Sequence, residues 1–74
     1  KSEFKIYPNP TKNNFKIQSQ KSINKVEIYN ELGQKTSEIK TNFENISTEN
    51  LSKGIYFVKI HSNNEVQILN LIKE

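Results

Sequence analysis

Apolar residues recur at every second position through most of the chain, the spacing that sends alternate side chains to opposite faces of a strand. Phe4 and Ile6 alternate with Glu3 and Lys5, Phe15 and Ile17 with Lys16 and Gln18, and Val26 and Ile28 with Lys25 and Glu27. Each set predicts a strand. A polar return strand over residues 34–39 follows "NELGQ" (Asn30 to Gln34), where Gly33 suits the φ > 0 position of a short hairpin turn. Phe43 and Ile46 mark a short fifth strand, and Leu51 is expected to plug the core from a turn closed by Gly54. "IYFVKIHS" predicts the strongest strand, with Tyr56, Val58 and Ile60 on one face. Asn63-Asn64 then predicts a hairpin turn, because asparagine tolerates the left-handed region, and "EVQILNLI" completes the set.

Short strands with turn signals at a spacing of roughly 8–12 residues, and no convincing helical periodicity, predict an all-β fold. The expected architecture is a seven-stranded antiparallel β-sandwich, with a barrel of the same strands as its competitor. Its predicted core is Ile6, Phe15, Ile17, Val26, Ile28, Leu32, Leu51, Tyr56, Val58, Ile60, Val66 and Ile68. A chain of 74 residues makes one domain, spanning residues 1–74. So short a chain buries only roughly 60% of the surface its unfolded form exposes. Removing one large core side chain, as in Ile28→Ala, should then cost roughly 2–5 kcal/mol, enough to threaten the fold.

One stretch breaks the alternation: "KIYPNPTKNNFKI", from Lys5 to Ile17. Proline fixes φ and donates no backbone hydrogen bond, so Pro8 and Pro10 cannot both lie in a paired central strand. The first strand should stop near Tyr7 and the chain restart at Phe15. Asn9 sits between the prolines, where its side chain can cap neighbouring backbone groups.

Composition narrows the chemistry. The 11 basic residues are all lysine and the 8 acidic ones all glutamate, interspersed along the chain for a net charge of +3. Without arginine forks or a clustered basic patch, a nucleic-acid partner is not expected. No apolar run approaches the ~18 residues that span a membrane, so no membrane insertion is expected, and "KSEFK" lacks the apolar region of a signal peptide. The absence of cysteine removes disulfides, a thiol nucleophile and cysteine-based zinc sites. The only histidine, His61, ends the strongest strand, and its neighbour Ser62 should point to the opposite face, so the two make no nucleophile–base pair. Aspartate is absent, which argues against a calcium loop, and Gly33 and Gly54 lie too far apart for a phosphate cradle. Neither an enzyme nor a cofactor is expected. The sequons at Asn45 and Asn50 read as turn residues. Binding through outward-facing Tyr7, Tyr29 or Phe57, or through an exposed strand edge, stays open.

Four motifs in order, "YPNPT" with its following "F.I", "V.IYN.LGQ", "LSKGIYFVKI" and the tail "LIKE", resemble the type A C-terminal sorting domain of substrates of the type IX secretion system of Bacteroidetes. The resemblance runs from Phe4 to Glu74. It implies an immunoglobulin-like sandwich of seven antiparallel strands that serves as a secretion tag for an N-terminal cargo domain of the same precursor. The implied partners are the outer-membrane type IX translocon and a sortase-like cell-surface peptidase, which removes the tag and anchors or releases the cargo. The implied route is the periplasm in transit, then the cell surface or the extracellular space. Residue by residue, Tyr7, Pro8, Asn9 and Pro10 occupy the first motif, Gly33 the hairpin motif, and Leu51, Gly54 and Tyr56 the third. Leu71, Ile72, Lys73 and Glu74 fall in the terminal motif, which carries much of the export signal in the family. Asn70 stands where the family often has a further lysine. The terminal strand is expected to be read by its receptor through edge pairing. The competing expectation is an immunoglobulin-like carbohydrate- or protein-binding module retained on a secreted protein, which an exposed row of aromatics would favour.

Overall fold

The computed structural model of the chain describes residues 4–74; Glu3, placed by the alternation at the head of the first strand, lies outside the described residues. The strands are β1 (Phe4–Tyr7), β2 (Asn14–Ser19), β3 (Lys25–Tyr29), β4 (Lys35–Ile39), β5 (Ile46–Ser47), β6 (Gly54–Ser62) and β7 (Glu65–Lys73). The described residues contain no helix. Strands β1-β2-β5 form one sheet and β4-β3-β6-β7 the other, with antiparallel pairing throughout both. The fold is therefore a sandwich and not a closed barrel.

Strand β6 organises the core because it is paired on both sides and buries Tyr56, Val58, Ile60 and Ser62. Val58 lies opposite Ile28, and Ile60 opposite Val26, in the β3–β6 register. Tyr56 lies opposite Leu71, and Val58 opposite Leu69, in the β6–β7 register. Phe4, Phe15, Ile17 and Ile46 close the core from the facing sheet, and Leu51 enters it from the loop before β6. Burying these side chains is the main stabilising term for so small a domain.

Turn chemistry sets the register. Asn30 Oδ1 accepts hydrogen bonds from the backbone N–H groups of Leu32 (2.9 Å) and Gln34 (3.0 Å). Gly33 follows at φ +82°, a conformation glycine adopts without a Cβ penalty. At the other hairpin Asn63 adopts φ 53°, and Ser62 pairs with Glu65 across the two-residue loop.

Four of the predicted core residues are not in the core. Leu32 is 83% exposed, because it sits in the Asn30–Gln34 turn and not on a strand. Val66 and Ile68 are 54% and 58% exposed: the Asn63-Asn64 turn places Val66 opposite the outward-facing His61. A shift of one residue moves a whole strand's apolar set to the other face, so Leu69 and Leu71 face inward instead. Ile6 packs only partly against the core, and Phe4, Ile46 and Leu71 are fully part of it.

Candidate functional site

Beyond Tyr7 the chain leaves β1 and crosses to the outer edge of β7, on the other sheet. Both Tyr7–Pro8 and Asn9–Pro10 peptide bonds are cis. There the Asn9 carboxamide makes two hydrogen bonds to the strand: Oδ1 accepts from the Ile72 N–H (2.9 Å), and Nδ2 donates to the Asn70 carbonyl (2.8 Å). Thr11 continues the contact through its backbone. Its N–H donates to the Ile72 carbonyl (2.8 Å) and its carbonyl accepts from the Glu74 N–H (2.8 Å), a parallel bridge with Lys73. Lys73 Nζ also donates to the Lys12 carbonyl. Thr11 is buried, and its hydroxyl donates to the Asn14 carbonyl (2.6 Å), anchoring the crossing segment at the start of β2.

Asn9 was expected to cap neighbouring backbone groups; its side chain instead bonds backbone groups 61 and 63 residues away, because the crossing segment lays it against the edge of β7. The edge that a receptor would need for pairing at residues 70–74 is already occupied. Thr11 and Lys12 were not foreseen as parts of this contact, and nothing in their local sequence announces so distant a partner.

The inner edge of the same strand end is held by the third motif, with Gly54 opposite Lys73, Ile55 opposite Ile72 and Tyr56 opposite Leu71. The buried Tyr56 hydroxyl donates to the Ser52 carbonyl (2.7 Å), which ties the loop before β6 to the strand. Residues 50–56 also line a shallow hollow of about 410 Å³ together with Asn30, Glu31 and Leu32 of the hairpin turn. All four sequence motifs therefore meet at one end of the sandwich. Within the terminal motif the residues differ sharply: Leu71 is fully buried, whereas Ile72 is 44% exposed beside the similarly exposed Ile55.

A charged cluster lies on the outer face of the four-stranded sheet. Glu27 Oε1 lies 2.7 Å from His61 Nε2, and its Oε2 lies 3.4 Å from Lys35 Nζ and 3.9 Å from Lys25 Nζ. The His61 hydrogen bond, with help from Lys35 and Lys25 and against partial desolvation, holds the Glu27 carboxyl at about 2. Lys35 also binds Glu38 Oε1 at 2.7 Å, which lowers the Glu38 pKa and raises that of Lys35. His61 is therefore a hydrogen-bond partner of Glu27 at the edge of this charged cluster. Ser62 lies on the opposite face, buried, with its hydroxyl donating to the Ser22 carbonyl. Among the described residues no group of three or more His, Cys, Asp or Glu side chains is placed to hold a metal ion.

The aromatics expected to face outward are divided. Tyr7 lies on the three-stranded sheet with Lys16 Nζ 4.8 Å from its ring centroid, whereas Tyr29 and Phe57 are half-buried neighbours on the four-stranded sheet. They form no common row.

Residues 5–74 match the family model described as the secretion system C-terminal sorting domain. No curated protein matches the chain.

Proposed function

The chain belongs to the family of secretion system C-terminal sorting domains, the sorting signals of type IX secretion, and from that premise we propose how this signal is presented and processed. Membership implies a cargo on the N-terminal side of the domain, secretion machinery that handles it, and a destination at the cell surface or beyond. The finer reading is as follows. The folded domain travels behind its cargo through the periplasm, and the outer-membrane translocon reads the outward face of its terminal strand. A sortase-like peptidase then removes it, leaving the cargo anchored or free. The domain itself performs no reaction and needs no cofactor.

One observation carries the recognition step: Ile72 and its cross-strand neighbour Ile55 are exposed side by side, while the edge and the inner face of the same strand end are occupied. A partner therefore meets an apolar pair and the Glu74 carboxylate, not free backbone groups. The separation of Tyr7 from Tyr29 and Phe57 speaks against the retained carbohydrate-binding module, which needs a shared aromatic platform.

The test is a secreted reporter fused ahead of the domain in a host that has this secretion system. Reporter export that does not require the domain would overturn the sorting role. Ile72→Ser should abolish most export while Val66→Ser, at a somewhat more exposed position on the same strand, should not. Equal export by all three fusions would overturn recognition through Ile72. Mass spectrometry of the exported reporter should find the domain removed; a reporter that retains it would overturn the cleavage step and favour a retained module.

A further inference from the structure

In a parallel β-ladder one residue bonds to positions i−1 and i+1 of its neighbour, and Thr11 does this through Ile72 and Glu74. The Asn9 carboxamide makes the equivalent pair of bonds one step earlier, to Asn70 and Ile72. A side-chain amide carries the same carbonyl acceptor and N–H donor as a peptide unit, so Asn9 can replace one. Its flanking prolines have no N–H of their own to offer the strand. Together these residues extend β7's pairing outward by a short pseudo-strand.

We propose that the Pro8–Thr11 segment is a clasp: Asn9 acts as a positioning residue that completes a parallel pseudo-strand, orders residues 70–74 and closes their outer edge to any other strand. β7 is an edge strand, and unpaired strand edges invite pairing with other chains. The clasp removes that invitation over residues 70–74. A partner that pairs with this stretch, whether a receptor strand or a second copy of the domain, must first displace Asn9. The clasp also fixes the tilt at which Ile72 is shown to solvent. This inference goes beyond the export reading and does not depend on it, because it concerns the free 74-residue chain.

Amide hydrogen exchange on the labelled 74-residue chain tests it directly. In Asn9→Ala, protection of the Ile72 amide should fall roughly tenfold or more, the change expected for two lost hydrogen bonds. Glu74 should follow as the adjoining Thr11 contact loosens, and the β6 amides should be unchanged. Asn9→Asp supplies a second, milder variant. At neutral pH its carboxylate still accepts from Ile72 but repels the Asn70 carbonyl, so Ile72 protection should fall. Below about pH 4 the carboxyl protonates, becomes a donor and should restore much of that protection relative to Asn9→Ala. At neutral pH, equal Ile72 protection in the wild type and in either folded variant would overturn the clasp, as would an unprotected Ile72 amide in the wild type. If Asn9→Ala fails to fold, Asn9→Asp across its pH range decides the matter.

Discussion

Leu71 and Ile72 are neighbours on one strand, yet truncating each to alanine should have different consequences. Leu71 is fully buried opposite Tyr56, so Leu71→Ala removes core contacts and leaves a cavity. Such substitutions cost roughly 2–5 kcal/mol. Ile72 keeps 44% of its surface in water. Since complete burial of such a side chain stabilises by roughly 1.5–3 kcal/mol, Ile72→Ala should cost about 1 kcal/mol. Whole-domain stability for 74 residues is of the order of 4–11 kcal/mol, so the first change is severe and the second mild. Urea unfolding followed by far-UV circular dichroism measures both. With a slope of about 1 kcal/mol/M for so small a chain, the midpoint should fall by about 2 M or more for Leu71→Ala and by about 1 M for Ile72→Ala. Equal shifts, or a larger one for Ile72, would refute the assignment of faces in β7. The distinction matters for export experiments. Deleting Leu71 to Glu74 removes a core residue and the clasped edge together, so lost export in that deletion would report unfolding as readily as lost recognition. Substitution at Ile72 separates the two.

The Glu27 cluster predicts acid sensitivity. Its carboxyl is depressed in the folded state from 4.5 to about 2, so its contribution is present above about pH 4.5 and lost as pH falls through 2. Glu38 is lowered too and adds in the same direction. Urea midpoints measured from pH 6 to pH 2 should therefore fall, and Glu27→Gln should flatten that fall; an identical pH profile in the variant would show that Glu27 contributes nothing. Thr48 is buried, and its hydroxyl has no hydrogen-bond partner among the described residues. Replacing it with the near-isosteric valine should raise stability by about 1 kcal/mol, seen as a melting temperature higher by about 5 °C. A lower melting temperature would mean that the hydroxyl is satisfied after all.

Period-two alternation made the strands legible, because it is a local signal that each strand carries in its own residues. Gly33 and Asn63 marked their turns for the same reason: a positive φ is a property of one residue and its neighbours. The prolines of "YPNP" rightly ended β1 at Tyr7. Local rules failed where the pattern carried two answers. In "EVQILNLI" apolar residues occupy both parities, and only the pairing of Ser62 with Glu65 sends Leu69 and Leu71 inward and Val66 and Ile68 outward. Leu32 looked like core because an apolar side chain in a turn gives no sign of where the turn points.

The chain's own residues thus determined the strands, the turns, the family and the position of its motifs. Tertiary structure decided what those motifs touch. Asn9 and Ile72 are 63 residues apart, and His61 and Glu27 are 34 apart, so neither contact leaves a trace in local spacing. Each exists because closing two sheets over one core brings distant edges and faces within hydrogen-bond range. "YPNP" reads locally as a stop to a strand; in the folded domain it is the segment that holds the other end of the chain in place.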